Sequence, residues 1–109
     1  MKNLNNLDEV QEIISTEKAV LIYFSGQNCS VCTVLKPKIE EQIKLNFPKI
    51  KTYEVKADLY KQITSNFLVF SIPTILVFFD SKEFKRYGRN ISVAKFLEEI
   101  KRPYTLFMD

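Results

Sequence analysis

Cys29 and Cys32 are the only cysteines in this chain of 109 residues, and they stand three positions apart in Asn28-Cys29-Ser30-Val31-Cys32-Thr33. An apolar run, Ala19-Val20-Leu21-Ile22-Tyr23-Phe24, leads into them and reads as a buried strand. A helical pattern follows, so the two thiols occupy the turn where a strand hands over to a helix. The first N–H groups of a helix lack partners and its dipole is positive there, which favours a thiolate over a thiol. Such a placement can bring a cysteine from about 8.5 toward neutrality, and the thiolate is the species that attacks a disulfide. Cys29 is therefore the expected nucleophile, with Cys32 one helical turn further in.

A pair at this distance suits thiol–disulfide exchange. One thiolate attacks a substrate disulfide, and the second resolves the mixed disulfide before the complex becomes a dead end. The same spacing fits half of a metal knuckle, but zinc takes four ligands, usually sulfur and imidazole. With two Cys and no His, the chain would have to recruit carboxylates or a second subunit, so no metal is expected. An inert structural pair is the remaining alternative.

The elements that must position these thiols are legible in the hydrophobic pattern. A short first strand is expected around Lys2–Leu4. Asn6 reads as an N-cap, with Asp8 and Glu9 in a first turn and Leu7, Val10, Ile13 and Ile14 at helical spacing. The run from Ala19 is apolar on both faces, which marks a central strand with helices above and below it. After the cysteines, Leu35, Ile39 and Ile43 form one stripe. Pro37 falls inside this pattern and predicts a kinked helix in preference to one that starts late. Residues 50 to 57 alternate as a strand, and Asp58 can cap a short helix through Leu59, Ile63 and Phe67. A second apolar run, Ile75-Leu76-Val77-Phe78-Phe79, follows Ser71-Ile72-Pro73-Thr74; Asp80-Ser81-Lys82 turns it into a returning strand, Glu83 to Tyr87. Asn90 can cap a last helix carrying Val93, Phe96, Leu97 and Ile100, with Pro103 expected to stop it. Helices on both faces of a mixed sheet give an α/β sandwich.

Composition narrows the function. One domain of this length, with 46% hydrophobic residues, can bury one core. Sixteen basic and thirteen acidic residues give +3, with the signs interleaved, as where Lys36, Lys38 and Lys44 alternate with Glu40 and Glu41. That is a solvated helix face, so neither nucleic acid nor membrane is an expected partner. The polar start, Met1-Lys2-Asn3-Leu4-Asn5-Asn6, has no apolar signal core, and no run is long enough to cross a bilayer. The expected address is the reducing cytoplasm, where a close cysteine pair is more often catalytic than a staple.

From about residue 4 to residue 102 the chain resembles the thioredoxin family. The resemblance rests on an ordered set: Cys29-Ser-Val-Cys32 after a buried strand, Pro37 five positions on, Asp58, and Ile72-Pro73-Thr74 before another buried strand. It implies the thioredoxin fold over 1–102 with a tail at 103–109, and a cis bond between Ile72 and Pro73 facing the cysteines. It also implies that backbone beside Pro73 pairs with an extended substrate peptide, so Asn28, Ile72 and Pro73 are the expected substrate-binding residues. A strand-start proline is the plain alternative for Pro73.

The departures from the family are informative. Asn28 stands where Trp is usual, Ser30-Val31 where Gly-Pro is usual, and no histidine lies between the cysteines. Isoleucine before the proline resembles the cytosolic reductases and points to a reducing role. The family's buried acid, six residues before the first cysteine, is here Tyr23. Glu54 falls where the family generally has lysine. We expect Glu54 to take over as base for Cys32, hydrogen-bonded to Tyr23 and raised in pKa by desolvation, the alternative being an ordinary solvated glutamate.

The resemblance thus implies a disulfide oxidoreductase without a cofactor, acting as a monomer on disulfide-containing protein substrates and drawing electrons from a separate reductase. The competing class is a non-catalytic partner-binding module that uses the groove or the tail, Tyr104-Thr105-Leu106-Phe107-Met108. That tail otherwise reads as a strand or clamp packed on the body, and Phe67, Phe70 and Phe84 read as core.

Overall fold

Two continuous apolar stretches make the centre of the sheet. Ala19–Ser25 (β2) is buried at every position, and Thr74–Phe79 (β4) is too, so each needs cover on both faces. They pair antiparallel, with Phe24 opposite Thr74. Lys51–Lys56 (β3) runs parallel to β2 on its other side, the two-residue Lys2–Asn3 (β1) pairs parallel with β3, and Lys82–Tyr87 (β5) closes the far edge. The order is β1-β3-β2-β4-β5. Both edges are unattractive to a foreign strand, one because it is two residues long and the other because Lys82, Glu83, Lys85 and Arg86 crowd it with charge. The computed structural model describes residues 1–108.

Leu7–Thr16 (α1) and Lys61–Asn66 (α3) cover one face, where Val10, Ile14 and Ile63 meet Val20, Ile22, Phe24, Leu76 and Phe78. Ser30–Asn46 (α2) and Val93–Met108 (α4) cover the other, where Leu35, Ile39, Ile43, Phe96 and Ile100 meet Leu21, Tyr23, Ile75 and Val77. The α/β reading therefore holds, with a mixed sheet between two helical layers.

Asn6 caps α1 as expected, its side-chain oxygen accepting the Glu9 N–H at 3.1 Å. Helix α2 begins at Ser30 and carries Pro37 inside it, so the late-start alternative falls away. The β4–β5 turn is two residues, Asp80 and Ser81, both left-handed at φ 53° and 69°, a twist that suits a tight hairpin.

Several expectations need correction. Asp58 does not cap α3, whose N-cap is Tyr60 without a side-chain bond; its carboxylate instead accepts the Gln27 N–H at 3.1 Å, tying β3's exit to the loop before Cys29. Asn90 does not cap the last helix; Ser92 Oγ accepts the Lys95 N–H there. Pro103 does not stop that helix. It is buried within α4, and the turns beyond it are held by Tyr104 against Phe47, with ring centroids 4.9 Å apart, and by Phe107 stacked on Phe79 at 6.0 Å. The tail is a helical clamp, because packing outweighs the lost hydrogen bond. Phe67 packs between Phe24 and Phe78, and Phe84 lies edge-on to Phe79 while 39% exposed, but Phe70 is 89% exposed and is no core residue.

Candidate active site

Cys29 and Cys32 are joined as a disulfide, with Cα atoms 5.3 Å apart, at the start of α2. Cys29 is the N-cap residue, extended in backbone, and its Sγ accepts the Cys32 N–H at 3.2 Å. Its carbonyl takes the Thr33 N–H and hydroxyl, which fixes the first turn. The sulfur thus lies where an unpaired helical N–H can stabilise negative charge. Cys29 is half-buried beside exposed Asn28, whereas Cys32 is buried at 3% exposure. The outer sulfur is reachable and the inner one is sheltered, as attack followed by resolution requires.

The Ile72–Pro73 peptide bond is cis. The pairing of Phe24 with Thr74 places Pro73 next to the end of β2, where the chain leaves toward Cys29. The Ile72 side chain crosses to this loop: a Cβ on Gly26 would lie 2.5 Å from Ile72 Cδ1, so a larger residue there would push the end of that side chain aside. Cys29 and Ile72 both pack against the core cluster that contains Cys32. Arg89, which sequence reasoning passed over, donates from Nη2 to the Ile72 carbonyl at 3.1 Å.

Beneath Cys32 the structure departs from expectation. Tyr23 is buried, but its hydroxyl donates to the Cys32 carbonyl at 2.8 Å and not to Glu54. Burial, followed by the Glu54 charge, pushes Tyr23 up to about 12, so it stays protonated. Glu54 is indeed buried, at 1% exposure, which removes the solvated-glutamate alternative. Ser25 Oγ donates to its Oε2 at 2.6 Å and Lys56 Nζ at 2.9 Å. Lys36 Nζ lies 2.7 Å from Oε1, an ion-pair approach without hydrogen-bond alignment. Desolvation works to raise the pKa of Glu54, as expected, but the close Lys36 ammonium and the bonds from Ser25 and Lys56 outweigh it and bring the carboxyl down to about 2. The expected upward shift is therefore reversed, because two ammonium groups stabilise the ionised form more than burial penalises it.

Cys32, Glu54, Lys36 and Lys56 line one cavity of about 320 Å³. Lys36 is the residue that sequence reasoning missed, although a signal was present: it is four positions after Cys32 and so on the same helix face. Among the described residues no three His, Cys, Asp or Glu side chains cluster as metal ligands would. No described helix is long and apolar enough to cross a membrane.

Comparison with known proteins gives the same picture. The chain is 31% identical over 107 residues to the thioredoxin-like protein YdfQ of Bacillus subtilis, covering 98% of this chain and 95% of that one. It is 34% identical over 84 residues to a thioredoxin of Mycoplasmoides gallisepticum, covering 75% and 81%. The Plasmodium falciparum thioredoxin superposes with a TM-score of 0.81 at 22% identity over 94% of this chain and 99% of that one, and that of Fasciola hepatica with 0.80 at 25% over 94% and 98%. The family described as Thioredoxin matches residues 2–102, and with its five-stranded mixed sheet, four helices and paired cysteines the chain belongs to the thioredoxin family.

Proposed function

We infer that the protein is a thiol–disulfide oxidoreductase that reduces disulfides in protein substrates through Cys29 and Cys32. The observation that carries this reading is the N-capping Cys29 sulfur, accessible and within hydrogen-bond reach of a helical N–H, with a sheltered Cys32 at disulfide distance. In the reduced form, the Cys29 thiolate attacks one sulfur of a substrate disulfide and releases the other as a thiolate. Cys32 then attacks Cys29, the internal disulfide forms and the second substrate thiolate leaves, so two electrons pass from the protein to the substrate. Asn28, Ile72 and Pro73 hold the substrate strand beside the sulfur pair, and Glu54 belongs to the polar site beneath Cys32.

No cofactor enters these steps. A separate reductase protein restores the dithiol, and a reducing compartment such as the cytoplasm suits this direction. A single copy of the chain suffices for this exchange, since both sulfurs come from one chain. An insulin-type reduction assay with dithiothreitol tests the reading. Wild-type protein accelerates reduction and Cys29→Ser does not; a Cys29→Ser variant as active as wild type would favour a partner-binding module.

A further inference from the structure

The charges beneath Cys32 do not balance. Two ammonium groups, Lys36 from α2 and Lys56 from β3, face one carboxylate, Glu54, and leave one net positive charge on the cavity that Cys32 shares with them. Of the other titratable groups near it, Asp58 lies behind Gly26, does not line the cavity and is tied to the Gln27 N–H. Glu40, on α2, is paired with the Met1 ammonium, and Tyr23, on β2, keeps its proton and is tied to the Cys32 carbonyl. Lys36 is one helical turn from Cys32 and only one-third exposed, with Glu54 holding its ammonium in place.

We propose that Lys36, positioned by Glu54, stabilises the thiolate of Cys32 as it resolves the mixed disulfide, so that Glu54 serves as a positioning residue and not as the proton acceptor. This deepens the oxidoreductase reading and rests on it. In the step concerned, the Cys32 thiol releases its proton to water at the cavity mouth and the thiolate attacks Cys29 Sγ. The Cys29–Cys32 bond forms as the bond from Cys29 to the substrate sulfur breaks. That sulfur leaves with the electron pair and takes a proton from solvent. A carboxylate clamped between two ammonium groups is a weak base, whereas an ammonium beside the thiol favours its ionised form without accepting anything.

The two roles predict opposite results for Lys36→Met. If Glu54 were the acceptor, removing Lys36 would make it more basic and resolution would be unchanged or faster. If Lys36 stabilises the thiolate, resolution slows. The test is rapid mixing of the reduced protein with a fluorescence-quenched peptide disulfide from pH 5 to 9, separating attack from resolution. We expect Lys36→Met to move the rise of the resolution rate about one pH unit higher and to slow resolution about three- to tenfold on the acid side, as a nearby charge of this kind would.

The first attack by Cys29 should be little changed, and Lys36→Arg should restore the wild-type profile. Glu54→Gln placed in the Lys36→Met background should add no further shift, since Glu54 acts through the lysine. An unmoved or accelerated Lys36→Met profile, with wild-type turnover normal, overturns this inference alone. Wild-type protein that reduces no disulfide overturns the oxidoreductase reading and this inference with it. Lys36→Gln provides a second neutral variant should Lys36→Met misfold.

Discussion

Tyr23 donates its hydroxyl to the backbone carbonyl of Cys32 at 2.8 Å, so the central strand reaches directly into the first turn of the helix that carries the sulfur pair. Tyr23→Phe deletes this buried bond while keeping the ring. The expected cost is about 1 kcal/mol of stability, read by urea unfolding of the oxidised protein. A variant as stable as wild type would mean that the bond does not tie the helix to the sheet.

Glu54 makes its own contribution to acid stability. Its carboxyl is held at about 2 in the folded protein against an ordinary 4.5, so its contribution is complete above pH 4.5 and is lost as pH falls toward 2. The unfolding free energy should drop across that window by on the order of 2 kcal/mol more in wild type than in Glu54→Gln. Urea titrations at pH 5 and pH 2.5 measure the difference. Equal drops in both proteins would place the acid sensitivity elsewhere.

Arg89 is exposed, yet it reaches back to the carbonyl of Ile72, the residue before the cis-proline. It should hold that backbone ready for a substrate strand. Arg89→Ala is expected to raise KM for a peptide disulfide about threefold with kcat nearly unchanged, since a charge-assisted hydrogen bond of this kind is worth about 1 kcal/mol or more. A fall in KM would mean that the arginine competes with substrate for the carbonyl.

Tyr104 and Phe107 secure the last turns of α4. Tyr104 packs on Phe47, and its hydroxyl accepts the Lys49 N–H at 3.2 Å. Tyr104→Ala should lower stability by about 2–3 kcal/mol through lost aromatic packing and the lost bond. Disulfide reduction below the melting range should persist. Loss of activity without loss of stability would point to a partner surface in place of a clamp.

The sequence was most readable where one residue type decides the outcome. Two adjacent runs apolar on both faces could only be central strands, a lone pair of cysteines at a strand–helix junction had few uses, and Asn6 could cap through its own side chain. It was least readable where the deciding partner is distant in the chain. Asp58 looked like a helix cap because Gln27, which supplies its N–H, is 31 residues away. Pro103 looked like a stop because Phe47 and Phe79, which hold the turns after it, come from other elements. Glu54 read equally as an interior base and as a solvated strand residue; it is buried, and desolvation alone then predicts a raised pKa. The lysines that reverse the sign lie 18 residues before it and two after it, and only the fold brings both to one carboxylate.

The dithiol exchange itself is tested most directly by trapping. Reduced Cys32→Ser, mixed with a disulfide-bonded protein substrate and analysed by non-reducing electrophoresis and mass spectrometry, should accumulate a one-to-one adduct through Cys29 that dithiothreitol releases. The Cys29→Ser protein should form none. Absence of the adduct with Cys32→Ser, or an equal yield with Cys29→Ser, would contradict the assignment of Cys29 as nucleophile and Cys32 as the resolving thiol.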